Sequence, residues 1–164
     1  MNNHLEIERK FLISYPDVSF LDGLDNISKV YIEQTYTENH IRIRKWVENG
    51  KTIYIKTIKE KINDIVRIER ENIISREEYS FLMKSADKSR RTVIKTRYRY
   101  PYKDKIIEID IFPFWSDRAF CEVELEYENE SFSLPPFIKV IKEVTEDNRY
   151  NNSSIAKEIP NDKI

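Results

Sequence analysis

Strand after strand of this chain carries ions on one face and aliphatics on the other. In Leu5-Glu6-Ile7-Glu8-Arg9-Lys10-Phe11 the two kinds alternate with period two, the signature of a β-strand. Glu6, Glu8 and Lys10 then share one face, and Leu5, Ile7 and Phe11 the other. The same spacing groups Arg42 with Arg44, Lys95 with Arg97 and Arg99, Glu108 with Asp110, Glu122 with Glu124 and Glu126, and Arg67 with Glu69 and Glu71. One such strand reads as half of a solvated antiparallel sheet. The set reads differently, because most of these faces carry a single sign. Like charges two residues apart repel, and solubility does not ask for them.

Turn and cap signals divide the rest. Strands are predicted at Val30–Thr37, Ile41–Val47, Thr52–Lys59, Ile65–Ile74, Thr92–Tyr100, Ile106–Phe112 and Phe120–Tyr127, with Pro101 stopping the fifth of these. Glu48-Asn49-Gly50-Lys51 is a type I′ hairpin signal. A short helix and a turn at Asp22-Gly23 fall between Pro16 and Lys29. Ser75-Arg76-Glu77-Glu78 is a capping box, predicting a helix to about Ala86 with Tyr79, Leu82 and Met83 inward. Pro135-Pro136 predicts a helix to about Asp147, with Phe137, Val140, Ile141 and Val144 at helical spacing, and a last short helix follows Asn152.

Hairpin-joined strands form an antiparallel sheet, and eight of them can close into a barrel just wide enough for side chains or one small ligand. The predicted class is therefore α+β, mostly β: an eight-stranded antiparallel closed barrel with flanking helices, as one domain over 1–164. Helices with apolar stripes need an outer apolar sheet face to cover, which leaves the ionic faces inside a tunnel. Buried charge is costly unless paired or metal-bound. A polyanion with divalent cations would compensate both signs at once.

Composition narrows the partners. Net charge is −1 over 164 residues, so no bulk field draws the chain to nucleic acid or to a membrane surface. No apolar run reaches the roughly 20 residues of a membrane span. Cys121 is the one cysteine, which suits a reducing, cytoplasmic setting; its plainest reading is a small buried strand residue. With two glycines, Gly23 and Gly50, Gly-rich phosphate loops are absent, so side chains must hold any phosphate. Carboxylates in pairs are hard oxygen ligands for Mg²⁺ or Mn²⁺, and clustered Arg and Lys clamp phosphate oxygens. Together they read as a phosphoryl-transfer site that works by position and charge.

These residues resemble the CYTH superfamily, also called triphosphate tunnel metalloenzymes. The ExExK signature stands as Glu6-Ile7-Glu8-Arg9-Lys10. It is followed in order by Ile41-Arg42-Ile43-Arg44, Thr57-Ile58-Lys59, Arg67-Ile68-Glu69, Lys95-Thr96-Arg97-Tyr98, Glu108-Ile109-Asp110, Glu122-Val123-Glu124 and the tail Glu143–Tyr150. The resemblance implies an eight-stranded tunnel that hydrolyses triphosphates with Mg²⁺ or Mn²⁺, and small bacterial inorganic triphosphatases look nearest. It implies Glu6, Glu8, Glu122 and Glu124 as metal ligands with Glu108 and Asp110 beside them. It implies Lys10, Arg42, Arg44, Lys59 and Arg97 on the phosphates, and Arg149 either at a tunnel mouth or capping a helix end. Lys95 and Tyr36 match places implicated in catalysis, together with Glu8; Tyr36 reads equally as a strand aromatic. Arg67, Glu69 and Glu71 complete the tunnel wall.

Several alternatives stay open at this point. The chain could be an adenylyl cyclase, a nucleoside or thiamine triphosphatase, or a non-catalytic polyphosphate binder. Trp46 could stack an organic headgroup, though packing is the plainer reading. Lys59 is expected inside the tunnel and Lys56 outside, and His4 and His40 in solvent. The expected partner is a small-molecule polyphosphate, with no nucleic acid and no membrane, and the expected assembly is a monomer or homodimer.

Overall fold

The barrel closes on its first strand. A computed structural model describes residues 2–164. In chain order it contains β1 (Asn2–Ser14), α1 (Val18–Asp22), β2 (Ser28–Tyr36), β3 (Arg42–Glu48), β4 (Lys51–Lys61), β5 (Val66–Ile74) and α2 (Arg76–Met83). There follow β6 (Val93–Tyr102), β7 (Lys105–Ile111), β8 (Arg118–Glu124), β9 (Val140–Glu143), a 3₁₀ turn (Asn148–Tyr150) and α3 (Asn152–Ile155). Strand order is β5-β4-β3-β2-β6-β7-β8-β1-β9, and β5 also pairs with β1. Eight antiparallel strands thus form a closed ring, and β9 is added outside it.

β1 can close the ring because its two halves use different partners. Asn2 to Ile7 pair with β5, and Glu8 to Ser14 pair with β8. On one edge the Glu8 N–H donates to the Ile65 carbonyl at 3.1 Å; on the other the Ile7 carbonyl accepts from the Leu125 N–H at 2.7 Å. Beyond Ile7 the first edge would lie bare, and unpaired backbone groups there are costly. The Val144 N–H covers it by donating to the Lys10 carbonyl at 2.9 Å, and β9 pairs with Phe11 to Ile13.

This requirement explains the main departure from expectation. The predicted helix from Pro135 to about Asp147 does not form. Its apolar spacing suits a helix, but β-branched Val140 and Ile141 also suit a strand, and the free edge of β1 selects the strand. Phe137 and Ile138 still cover the barrel's outer face, beside Leu21 of α1 and with Phe132 and Leu134. Three smaller corrections follow. Pro101 does not stop β6, because it sits opposite Ile106 one pair from the hairpin end, where a missing N–H is tolerated. α2 buries no residue fully; Tyr79 stacks on Tyr54 with ring centroids 4.6 Å apart, and Phe81 is exposed. β8 ends at Glu124, so Glu126 and Tyr127 lie in solvent.

The turns obey their residues. Asn49 and Gly50 have φ of 50° and 74°, as a type I′ hairpin needs. The Ser75 hydroxyl caps α2 by accepting from the Glu78 N–H at 3.0 Å.

Inside the ring the wall changes character along the strands. Two residues past Lys10, Asp110 and Glu122, on the same faces, stand Leu12, Phe112 and Phe120. With Val93, Trp115, Tyr150 and Ile155 of α3 they form a second apolar cluster. That cluster is a plug beneath the ionic rows. Asp162 ties the C-terminal segment down over it, accepting from Lys142 Nζ at 2.9 Å, Arg149 Nη1 at 2.9 Å and the Tyr150 hydroxyl at 2.8 Å. Among the described residues no helix is long and apolar enough to cross a membrane.

Phe120 is fully buried and meets Phe112 and Trp115 edge-on at 5.4 and 5.2 Å. Phe120→Ala is therefore expected to cost about 3–5 kcal/mol in urea unfolding. Leu5→Ala, at a position 53% exposed, should cost under about 1 kcal/mol. Lys142, then Arg149 and Tyr150, hold the Asp162 carboxyl well below the usual carboxylate range. Its contribution to stability is therefore present above that range and is lost as the pH falls through the lower, folded-state value. Protection of the Ile155 and Ala156 amides, corrected for the intrinsic pH dependence of hydrogen exchange, should fall in acid in the wild type and not follow that titration in Asp162→Asn.

Candidate active site

The predicted ionic faces do point inward. Glu6, Lys10, Arg42, Arg44, Glu69, Lys95, Arg97, Asp110 and Glu122 are all buried. Lys59 also faces in, reaching Glu6 at 3.0 Å and Glu69 at 3.5 Å, while Lys56 faces out to Glu78 on α2.

On β6 to β8 the charges are tightly knotted. Asp110 accepts Arg97 Nε on one oxygen at 2.7 Å and both Lys95 Nζ and Arg97 Nη2 on the other, at 2.7 and 2.8 Å. Burial pushes against ionisation, but Arg97 and Lys95 hold Asp110 well below the usual carboxylate range. Both its oxygens accept hydrogen bonds from these two cations, and Asp110 thereby aims Arg97. Lys95 is 1% exposed and does not line the cavity; burial draws its ammonium down to about 8 despite Asp110. Arg97 also meets Glu108 at 3.0 Å and Glu122 at 3.7 Å.

On β3 to β5 a threonine is the hub. The Thr57 hydroxyl accepts from Arg42 and Arg44 at 3.5 Å each and donates to Glu71 at 3.0 Å, while Arg44 also reaches Glu71 at 2.7 Å. The sequence placed Thr57 in the Thr57-Ile58-Lys59 motif but gave it no role, although it shares its strand face with Lys59. Burial, and then the Arg42 charge beside it, bring the Arg44 guanidinium down to about 10. Among the described residues no carboxylate lies within 4 Å of Arg42, and its Nε is buried without a hydrogen bond.

The acids gather across the tunnel. Glu8 is pushed well up by burial, then by Glu122 and Glu6. Glu122 stays near 2 because Lys10, 3.3 Å away, and Arg97 overcome its burial. Burial and the adjoining Glu6 carboxyl raise Glu69 to about 8, whereas Lys59 holds Glu6 low against burial. Lys10 also donates to the Tyr150 carbonyl at 3.3 Å.

Two cavities open along this interior. The first, of about 300 Å³, is lined chiefly by bases, including Lys10, Lys61, Arg67 and Arg90, with Tyr36 and His40 at its side. The second, of about 390 Å³, holds the acids Glu6, Glu69, Glu71, Glu108, Glu122 and Glu124, with Arg44, Arg97 and Arg99. Trp46, Ile53 and Ile55 form its apolar side, and Trp46 lies under the Arg44 guanidinium at 5.7 Å. Glu8, Arg42, Lys59 and Asn152 line both cavities. Arg149 comes to neither: its guanidinium is held outside by Asp147 and Asp162. His4 and His40 are exposed, as expected. Arg90 and Asn152 were not foreseen, because nothing near them in sequence alternates.

The oxygens suit a hard divalent cation. Glu6 Oε2 and Glu122 Oε1 are buried, each against an ammonium, Lys59 at 3.0 Å and Lys10 at 3.3 Å, and the like charges around Glu8 would be relieved by a cation. Among the described residues no three such groups converge as a ready-made cage. Lys10 and Lys59 stand among them as counter-charges.

A family model for the CYTH domain matches residues 4–157. An inorganic triphosphatase of Nitrosomonas europaea is 33% identical over 160 residues, spanning 94% of this chain and 99% of that protein. The crystal structure of the inorganic triphosphatase NE1496 superposes with a TM-score of 0.58 at 32% identity, covering 95% of this chain and 97% of that one. The PH1819 protein of Pyrococcus horikoshii OT3 shares the fold, with a TM-score of 0.51 at 22% identity over 76% of this chain and 80% of its own. From the matched tunnel strands to the tail, the chain belongs to the CYTH domain family.

Proposed function

We propose that this chain hydrolyses inorganic triphosphate to pyrophosphate and phosphate, using a divalent cation, Mg²⁺ or Mn²⁺. The observation that carries the reading is Arg42, a buried guanidinium with no carboxylate partner among the described residues and with a second guanidinium pressed against it. Unpaired buried charge is unstable without a counter-ion, and a linear polyanion running along the tunnel supplies one. The relative named inorganic triphosphatase adds support through its identity over nearly the full length of both chains.

In this reading Lys10, Arg42, Arg44, Lys59, Arg67 and Arg97 hold phosphate oxygens. Lys95 acts behind them, fixing Arg97 through Asp110. Glu6, Glu8, Glu122 and Glu124 hold the cation, with Glu108 beside them. When bound, the cation supplies positive charge to phosphate oxygens and a water of lowered pKa. Tyr36 offers its hydroxyl at the basic cavity. A second reading, a triphosphate with an organic headgroup, draws on Trp46, Ile53 and Ile55 beside the acidic cavity. A cytoplasmic location accords with Cys121, free, buried and with its thiol pushed up by burial.

Phosphate release from tripolyphosphate is expected with Mg²⁺ or Mn²⁺, and it should stop when EDTA removes the metal. Arg42→Ala should lower kcat/KM about 10²–10³-fold. Release by the wild type no faster than by Glu8→Ala would overturn the reading. Cyclic AMP and pyrophosphate as products from ATP would replace it with a cyclase.

A further inference from the structure

The neck between the two cavities is formed by Glu8, Arg42, Lys59 and Asn152. Three of these are ions whose roles follow from charge. Asn152 is neutral, and it is brought there by α3, which is anchored below by Ile155 in the apolar plug. Its Oδ1 is buried and has no hydrogen-bond partner.

A buried acceptor left unsatisfied costs about 1–3 kcal/mol, so a hydrogen-bond donor or a cation must complete this site, and a cation's charge is drawn to the carboxylates across the tunnel. The phosphate chain cannot be that donor, since a fully ionised polyphosphate offers only acceptor oxygens. Arg42 and Lys59 have donors, but their charge is matched to phosphate and, for Lys59, already to Glu6. The small neutral donor that fits between a phosphate chain and a carboxamide is water.

We propose that Asn152 is a catalytic residue whose side-chain carbonyl holds and aims the attacking water at the neck of the tunnel. The inference rests on the triphosphatase reading above. The water oxygen forms the new bond to the terminal phosphorus. The bridging P–O bond breaks, and its electron pair stays on pyrophosphate. One water proton remains on the oxygen that becomes part of phosphate, and the other ends on pyrophosphate. Asn152 accepts a hydrogen bond throughout and takes no proton. Its contribution is orientation, which is realised in the transition state more than in substrate binding.

The test compares Asn152→Ala and Asn152→Asp with the wild type by steady-state kinetics on tripolyphosphate. Calorimetric binding of tripolyphosphate in EDTA, where no turnover occurs, is measured alongside. Asn152→Ala should lower kcat about 10–100-fold, with KM and the metal-free Kd changed less than about 3-fold. Asn152→Asp keeps an acceptor at the same place, so its kcat should exceed that of the alanine variant, with KM raised by the added negative charge. Unchanged kcat in Asn152→Ala overturns the inference. So does a rise in KM and Kd at constant kcat, which would mark an amide N–H on phosphate. Equal kcat in the two variants would reduce Asn152 to a structural part and also overturns it. A wild type that binds tripolyphosphate but does not cleave it overturns the triphosphatase reading itself, and this inference with it.

Discussion

Asp110 has no solvent exposure, and it is pinned between a guanidinium and an ammonium that are almost as deeply buried. Everything else in the molecule depends on charge being buried in this compensated way. A carboxylate in such surroundings would protonate if left alone. With Arg97 and Lys95 on it the carboxylate stays ionised, and Arg97 in turn is fixed where it meets Glu108 and Glu122. The barrel lets seven of its eight strands contribute charge to one enclosed space, β2 facing it with Val30, Ile32, Gln34 and Tyr36, while the strands pair around a closed ring. Its closure is therefore part of the site's electrostatics as well as of the fold.

The compensation is uneven along the tunnel. On the side of β6 to β8 nearly every charge has its opposite. On the side of β3 and β4 the two arginines lean on a neutral threonine hydroxyl, and one of them has no carboxylate among the described residues. Facing them, Glu8 is crowded by Glu6 and Glu122. The protein thus keeps an excess of positive charge on one wall and of negative charge on the other. Such a separation is stable in a folded chain when the counter-ions are supplied from outside. A phosphate chain for the arginine wall and a cation for the acidic wall fit together, since each also neutralises the other.

What the sequence made legible was periodicity. Alternation placed the strands and told inside from outside; for β4 it was the resemblance of Thr57-Ile58-Lys59 that put Lys59 inward and Lys56 outward, as they are. Local chemistry placed the Asn49-Gly50 hairpin and the Ser75 cap. What stayed illegible depended on partners far away in the chain. The segment after Pro135 has an apolar spacing that serves a helix or a strand, and only the bare edge of β1, more than a hundred residues earlier, decides for the strand. Arg149 lies in a motif that left it either at a tunnel mouth or capping a helix end, and Asp147 and Asp162 hold it outside. Asp110 carries the right chemistry for a metal, but its bonds to Arg97 and Lys95 were not legible from its own strand. Asn152 lies in a polar stretch with no pattern, so its arrival in the tunnel follows only from the packing of α3.

The central claim is that the interior is completed by a linear polyanion together with a divalent cation. Thermal unfolding measures this directly and needs no turnover when a non-hydrolysable imido analogue of tripolyphosphate is used with Mg²⁺. At 100 times its Kd the pair should add about 2.7 kcal/mol of stability. For a chain of this size that corresponds to a rise in Tm of about 5–10 °C. Sulfate at matched ionic strength should give almost none of it. An analogue and cation that together leave Tm no higher than sulfate does would contradict the account.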